Sequence, residues 1–192
     1  MTLPFATQAA PVVPLITAEE AEPAAAELLE SIRAKHGRVT NMVATLLHSL
    51  PSYRAMEFYP VRDKLTEVVG SRAVYFFCYA ISVEDECVIC SRYHARLLAE
   101  LDLSFADFEF TEEEKMLIAY GRAMVNNPTT IDPAITDALR ARFSPSEIVL
   151  ITTVGAKMIA SNIFNSALSV ALDDYLFDVK FDGALLDRAV AG

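Results

Sequence analysis

Basic residues are few in this sequence and nowhere clustered: 16 Lys and Arg stand against 26 Asp and Glu, a formal charge of -10. That balance argues against a nucleic-acid ligand, because contact with a phosphate backbone draws on grouped cations. Glycine is sparse as well, with six residues, and no long polar run offsets an apolar fraction of 53%. Disorder is thereby excluded, and 192 residues suffice to bury a real core in one domain. The first fourteen residues, MTLPFATQAAPVVP, show no charged leader followed by an apolar run, so no signal peptide is read and a cytoplasmic location is expected. One long apolar stretch, Ile148 to Ala171, is interrupted by Lys157, Asn162 and Asn165. It reads as a buried or interface helix rather than a membrane span, and it offers more apolar face than a monomer of this size needs. A homo-oligomer is expected, with no nucleic-acid and no membrane partner.

Strand signals are scarce, and helix punctuation is frequent. Thr17-x-x-Glu20 is a capping-box pattern that predicts a helix to about Ala34, closed by Gly37. A second helix is predicted over Asn41 to Leu50, stopped by Pro51. Short segments around Tyr53 to Tyr59 and Val61 to Val69 follow, separated by Pro60 and ended by Gly70. Ser71 to Val83 is apolar on nearly every side and reads as a central helix, after which Asp85 can cap a helix running to about Leu101. Past an acidic loop at Asp102 to Phe110, Thr111-x-x-Glu114 opens another helix, Asp132 to Phe143 forms a short one, and Ser144-Pro145-Ser146-Glu147 is a strong start signal. The fold class is therefore all-α, a multi-helical bundle, with residues 1–16 as an N-terminal extension and 17–192 as a single helical domain. A 75-residue shift lays Ser71, Val74, Ser91 and Leu97 on Ser146, Val149, Ser166 and Leu172, which raises an internally duplicated helical core.

Cysteine and histidine are rare, three of each, yet two of the cysteines and one histidine fall in one string, Cys87-Val88-Ile89-Cys90-Ser91-Arg92-Tyr93-His94. At about 100° per residue, positions 87, 90 and 94 of a helix share an arc of roughly 60°. Two thiols so placed can close a disulfide, and a histidine one turn on can take or supply a proton. The helix N-terminus favours a thiolate, Glu84, Asp85 and Glu86 oppose it, and a protonated His94 is expected to supply the remaining activation. Two other readings stay open. The cysteines can be small buried hydrophobes, or they can join His94 in a zinc site, although the chain has no second cysteine pair to close a four-ligand shell. His36 is expected at a helix C-terminus, His48 as a core or surface residue, and Cys78 as packing.

The run from Ser71 to Leu98, with C-x-x-C-x-x-x-H at its centre, resembles the alkylhydroperoxidase D / carboxymuconolactone decarboxylase superfamily, in particular its peroxidase-related branch. His36-Gly37-Arg38-Val39-Thr40-Asn41 is similar to that branch's early G-x-V-x-N element, and Asn162-Ile163-Phe164-Asn165 to its late N-x-x-N element. The resemblance implies an AhpD-like all-α fold assembled as a dimer, trimer or hexamer. It also implies a thiol-dependent peroxidase or disulfide oxidoreductase that needs no cofactor or metal and takes a hydroperoxide and a dithiol or lipoyl-type reductant. On this resemblance Cys90 is the peroxidatic thiol, Cys87 the resolving thiol and His94 part of a proton relay. Two positions depart from the pattern: Tyr75 stands where the family usually has a glutamate, and Ile89 where some relatives have a histidine. The Tyr75 departure keeps a second function in view, a helical oligomer whose relay has decayed and which binds a small ligand or serves as an assembly partner.

Overall fold

The computed structural model describes residues 10–101, 109–179 and 186–190. The described residues form helices and connecting turns with no strand: α1 (Pro23–His36), α2 (Asn41–Leu46), α3 (Leu50–Met56), α4 (Tyr59–Glu84), α5 (Val88–Ala99), α6 (Glu112–Asn126), α7 (Pro133–Arg142), α8 (Pro145–Ala167) and α9 (Asp187–Val190), with a 3-10 turn at Asp174–Leu176. The all-α expectation is met. Most of the predicted acidic loop, residues 102–108, lies outside the described residues.

The core is organised by the second limb of α4. Val74, Phe76, Phe77, Cys78, Ala80 and Ile81 are all fully buried, so this stretch has no solvent face and must be enclosed by neighbours. Those neighbours are α5, α6 and α8. Each large apolar side chain so buried contributes about 1.5–3 kcal/mol relative to exposure. Close approach is secured by missing side chains: a Cβ on Gly121 would meet Ile81 Cγ1 at 3.0 Å and the Phe77 ring at 3.1 Å, and one on Gly155 would meet Met124 Sδ at 2.7 Å. A second apolar layer, α1 to α3 with Ala25, Leu29 and Leu47 at its centre, lies over the face where α5 and α8 meet.

Several local predictions give way to backbone rules. Thr17 and Glu20 do make the predicted reciprocal bonds, with Glu20 N–H donating to Thr17 Oγ1 at 3.4 Å. They close only an isolated turn, because Pro23 forces Glu22 into an extended conformation (φ -59, ψ 151) and α1 starts afresh. Pro51 does not stop a helix; it sits in the first turn of α3, capped by Ser49, where a missing N–H costs nothing. Pro60 likewise opens α4, and that helix runs through Gly70, which breaks its direction with φ 79 and ψ 160. The segments predicted on either side of Gly70 are thus two limbs of one kinked helix. The 75-residue shift lays one continuous helix, α8, over the end of α4, a break and α5, so the two stretches differ in local form.

The strong start signals hold. Thr111 and Ser144 both make full capping boxes, with Glu114 and Glu147. Among the described residues α8 is the helix long and apolar enough to cross a membrane by length and composition; within the fold it buries Ile151, Val154, Met158, Asn162 and Asn165.

Candidate active site

The site begins at the break between α4 and α5. The helix predicted to carry both cysteines, capped by Asp85, starts two residues later than that. Asp85 instead ends α4, and Cys87 is the N-cap of α5 in an extended conformation (φ -79, ψ 100). Between them Glu86 adopts the left-handed region at φ 54. Its N–H donates to Val83 O at 3.1 Å and the N–H of Cys87 donates to Ser82 O at 3.0 Å. This is a Schellman closure in which a glutamate occupies the place usually given to glycine. Cys87 therefore terminates one helix and initiates the next. A left-handed glutamate costs roughly 1–2 kcal/mol, and no glycine marks the turn in the sequence.

The two thiols remain in contact. Cys90, three residues into α5, and Ser166 stand close enough to Cys87 to hold its thiol below the ordinary range, against the opposing effect of burial, although Cys87 makes no side-chain capping bond to α5. Cys90 shows the reverse: donating to Cys87 pushes it well up, burial adds to the shift, and the amide of Asn165, donating to its sulfur at 3.2 Å, only moderates it. In the reduced pair, negative charge belongs on Cys87 and the proton on Cys90. Both residues are buried, Cys87 at 2% exposure and Cys90 at 5%. Both are free thiols in the structure.

His94 lies one turn beyond Cys90, and its Nδ1 is 2.9 Å from the Cys90 carbonyl. A carbonyl only accepts, so Nδ1 carries the hydrogen and Nε2 presents a lone pair. Burial pushes the imidazole down to about 4, so it is neutral near pH 7. The expected activation by a protonated His94 is therefore corrected, and the physical reason is desolvation. Part of the acidic trio still opposes, since the Asp85 charge raises both cysteines. Glu84 is drawn away by Arg122 at 2.7 Å, while Asp85 accepts from Asn162 at 3.0 Å.

Helix α8 thus supports both sides of the turn, Asn162 holding the loop and Asn165 holding the sulfur. The N-x-x-N element is buried for this purpose, with Asn162 and Asn165 at 1% and 2% exposure. The early element is tied in as well: the Asn41 N–H donates to Asp173 at 2.8 Å and its side chain to Ala171 O at 3.0 Å.

Cys90 and His94 open onto a pocket of about 110 Å³ whose wall includes Asn165, Tyr59, Arg62 and Tyr93, and Cys87 does not line it. Two buried polar atoms at this wall, His94 Nε2 and Asn165 Oδ1, have no hydrogen-bond partner. Arg62 and Tyr59, delivered by the first limb of α4, were not singled out in the sequence; nothing local distinguishes them from surface residues until the Gly70 kink aims that limb at α5. Tyr75 packs between the two larger apolar clusters and is not part of the pocket wall. Cys78 is fully buried and pushed up to about 12 by desolvation, which makes it packing, as expected. His36 ends α1 and stacks on Tyr59 at 4.6 Å; His48 Nε2 bonds Pro14 O at 2.8 Å. Among the described residues no three His, Cys, Asp or Glu side chains are grouped to hold a metal.

No family model matches the sequence, and no curated protein does either. Solved structures do match in fold. An uncharacterized peroxidase-related protein from Silicibacter sp. TM1040 superposes with a TM-score of 0.71 at 15% identity, covering 91% of this chain and 98% of that one. An alkylhydroperoxidase AhpD core, an uncharacterized peroxidase-related protein from Ralstonia eutropha JMP134, superposes with a TM-score of 0.67 at 19% identity, covering 88% and 96%. At these identities the likeness is one of fold: the described residues make an all-α chain with the AhpD-like fold.

Proposed function

We propose that this protein is a thiol-dependent peroxidase or disulfide oxidoreductase in which Cys90 meets the oxidant and Cys87 resolves it. The observation that carries the reading is the pair of thiols in contact, with Cys90 and not Cys87 at the wall of an apolar pocket beside His94. The names of the two fold neighbours, peroxidase-related and AhpD core, agree with it.

The order of the steps is set by where the protons sit. Cys90 passes its proton to the Cys87 thiolate and becomes the nucleophile. A hydroperoxide donates its O–H to the bare Nε2 of His94, which fixes the terminal oxygen near the sulfur. The S–O bond forms as the O–O bond breaks, and the alkoxide leaves as the alcohol after taking a proton from solvent. Cys87 then attacks the sulfur of the Cys90 sulfenic acid, its proton leaving with the sulfenic hydroxyl as water, and the disulfide closes. A dithiol or lipoyl-type donor reduces it, and the reduced cytoplasm is the setting that supplies one. The test is hydroperoxide-dependent oxidation of a dihydrolipoyl donor by the purified protein. Turnover abolished in Cys90→Ser is expected; wild-type protein inert toward both peroxide and disulfide substrates would refute the reading.

A homo-oligomer is part of the proposal. Val149 and Ile163 of α8 are 65% and 60% exposed, and Phe177 is 58% exposed, an apolar surface that a second copy can cover. The rival reading, an inert oligomer that only binds a ligand, is favoured by Tyr75, which brings no carboxylate to the relay. Oxidation of the pair by peroxide separates the two.

A further inference from the structure

We infer that the pocket takes a small carboxylate-bearing molecule, with Arg62 gripping the carboxylate and Cys90 facing the group that reacts. The inference deepens the proposed function and rests on it for the reacting group, a hydroperoxide; the acid-binding half stands on its own observations.

Arg62 is a largely buried cation of the wall with no strong carboxylate partner. It is only 14% exposed, and its ion partner is Asp63 at 3.3 Å, the next residue in the chain and 58% exposed. A long contact to a well-hydrated neighbour does little for a desolvated cation. Its other contacts are neutral: the Tyr93 hydroxyl and the face of Tyr59, with the guanidinium carbon 4.7 Å from the ring centroid. Arg72 shows how this fold treats such a group elsewhere, holding the buried Glu114 at 2.8 Å. Of the wall's two carboxylates, Asp173 faces Arg38 and accepts the Asn41 N–H at 2.8 Å, and Glu57 is exposed at the rim. An occupant with its own carboxylate would give Arg62 the bidentate partner it lacks.

The remainder of the wall restricts the body that such a carboxylate can carry. Val43, Leu46, Met56, Ile89, Met158 and Leu176 make it apolar, which favours a hydrocarbon body over a fully hydrated one. A volume of about 110 Å³ is below the roughly 150 Å³ of a cavity that accepts benzene, so the body is a short chain. At the thiol end the unpartnered His94 Nε2 and Asn165 Oδ1 are acceptors in search of a donor, which an O–H group supplies. A short carboxylic acid bearing a terminal hydroperoxide meets every one of these groups.

The probe is butanoate, which cannot react. Titrated into reduced wild-type protein and followed by calorimetry and by the His94 imidazole resonances, it is expected to bind roughly 10–100-fold more tightly than butan-1-ol. Arg62→Gln is expected to erase that preference and Arg62→Lys to retain part of it. Butan-1-ol binding as well as butanoate in the wild type would overturn the inference without recourse to any variant. So would an undiminished preference in a folded Arg62→Gln protein. If butanoate binds through Arg62 while no hydroperoxide is turned over, the acid site stands and the peroxidase reading falls. If alkyl hydroperoxides turn over and butanoate neither binds nor competes, the peroxidase stands and this inference falls.

Discussion

Helices α5 and α8 both start from an extended N-cap residue, and the two starts are put to different use. At α8 the Ser144 hydroxyl accepts the N–H of Glu147 at 3.3 Å, and Glu147 reaches back to the Ser144 N–H at 2.8 Å. At α5 Cys87 holds the N-cap position with no side-chain capping bond, and its sulfur is instead influenced by the Cys90 thiol three residues on. Four residues further on, α8 places the fully buried Ile151 and α5 the buried His94. The first arrangement is a stop-start signal at the surface that does nothing but hold. The second sets two buried, titratable sulfurs at the N-cap and the third helical position, where α8 has a hydroxyl and a carboxylate that cap its backbone.

The sharpest way to break this comparison is to turn one start into the other. Cys87→Ser restores a hydroxyl cap and is expected to keep α5 intact while removing the proton acceptor. Sulfenate formation on Cys90, trapped and read by mass spectrometry, should slow by about 10²-fold. Cys90→Ser should abolish it. A sulfenate appearing on Cys87 instead would reverse the roles.

Next in size is the effect of His94 on stability. Its folded value near 4 lies below the ordinary 6.5, so between those values the unfolded chain binds more protons than the folded one. The contribution is fully present above about pH 6.5 and is lost as pH falls toward 4, up to about 3 kcal/mol. Urea unfolding of wild type and His94→Gln across that window should show the wild-type slope and a flatter variant; parallel curves would mean that the imidazole is not buried in the folded chain.

Smaller effects test the starts themselves. Ser144→Ala should cost about 1 kcal/mol of unfolding free energy and leave thiol reactivity unchanged, which checks that the α8 cap is structural only. Glu86→Gly should relieve the left-handed strain and raise stability by about 0.5–1 kcal/mol, measured by thermal and denaturant unfolding. A loss of stability there would mean that the glutamate side chain holds the turn in some other way.

Legibility in the sequence divides along the same line. Thr111, Ser144 and their paired glutamates announce α6 and α8 because a capping box is written in four adjacent residues. The C-x-x-C-x-x-x-H string and the N-x-x-N element likewise carry their spacing on their face, and the structure brings Cys90 and Asn165 within 3.2 Å. Glu86 was illegible because left-handed geometry usually shows itself as glycine. Pro51 and Pro60 were read as stops because a proline looks the same at the end of one helix as at the start of the next. The neutral state of His94 depends on burial by distant elements, and the partnership of Arg62 with the pocket depends on the direction α4 takes at Gly70. Neither is a local property of the chain.

The cap at Cys87 also sets the oxidising power of the pair. A sulfur locked in a disulfide has neither the charge nor the partner S–H of the reduced pair, so the influence of Cys90 and Ser166 that lowers the Cys87 thiol acts on the dithiol form. Whatever stabilises the reduced state raises the reduction potential, by about 30 mV for every ~1.4 kcal/mol. A disulfide formed here is therefore predisposed to be given away rather than kept.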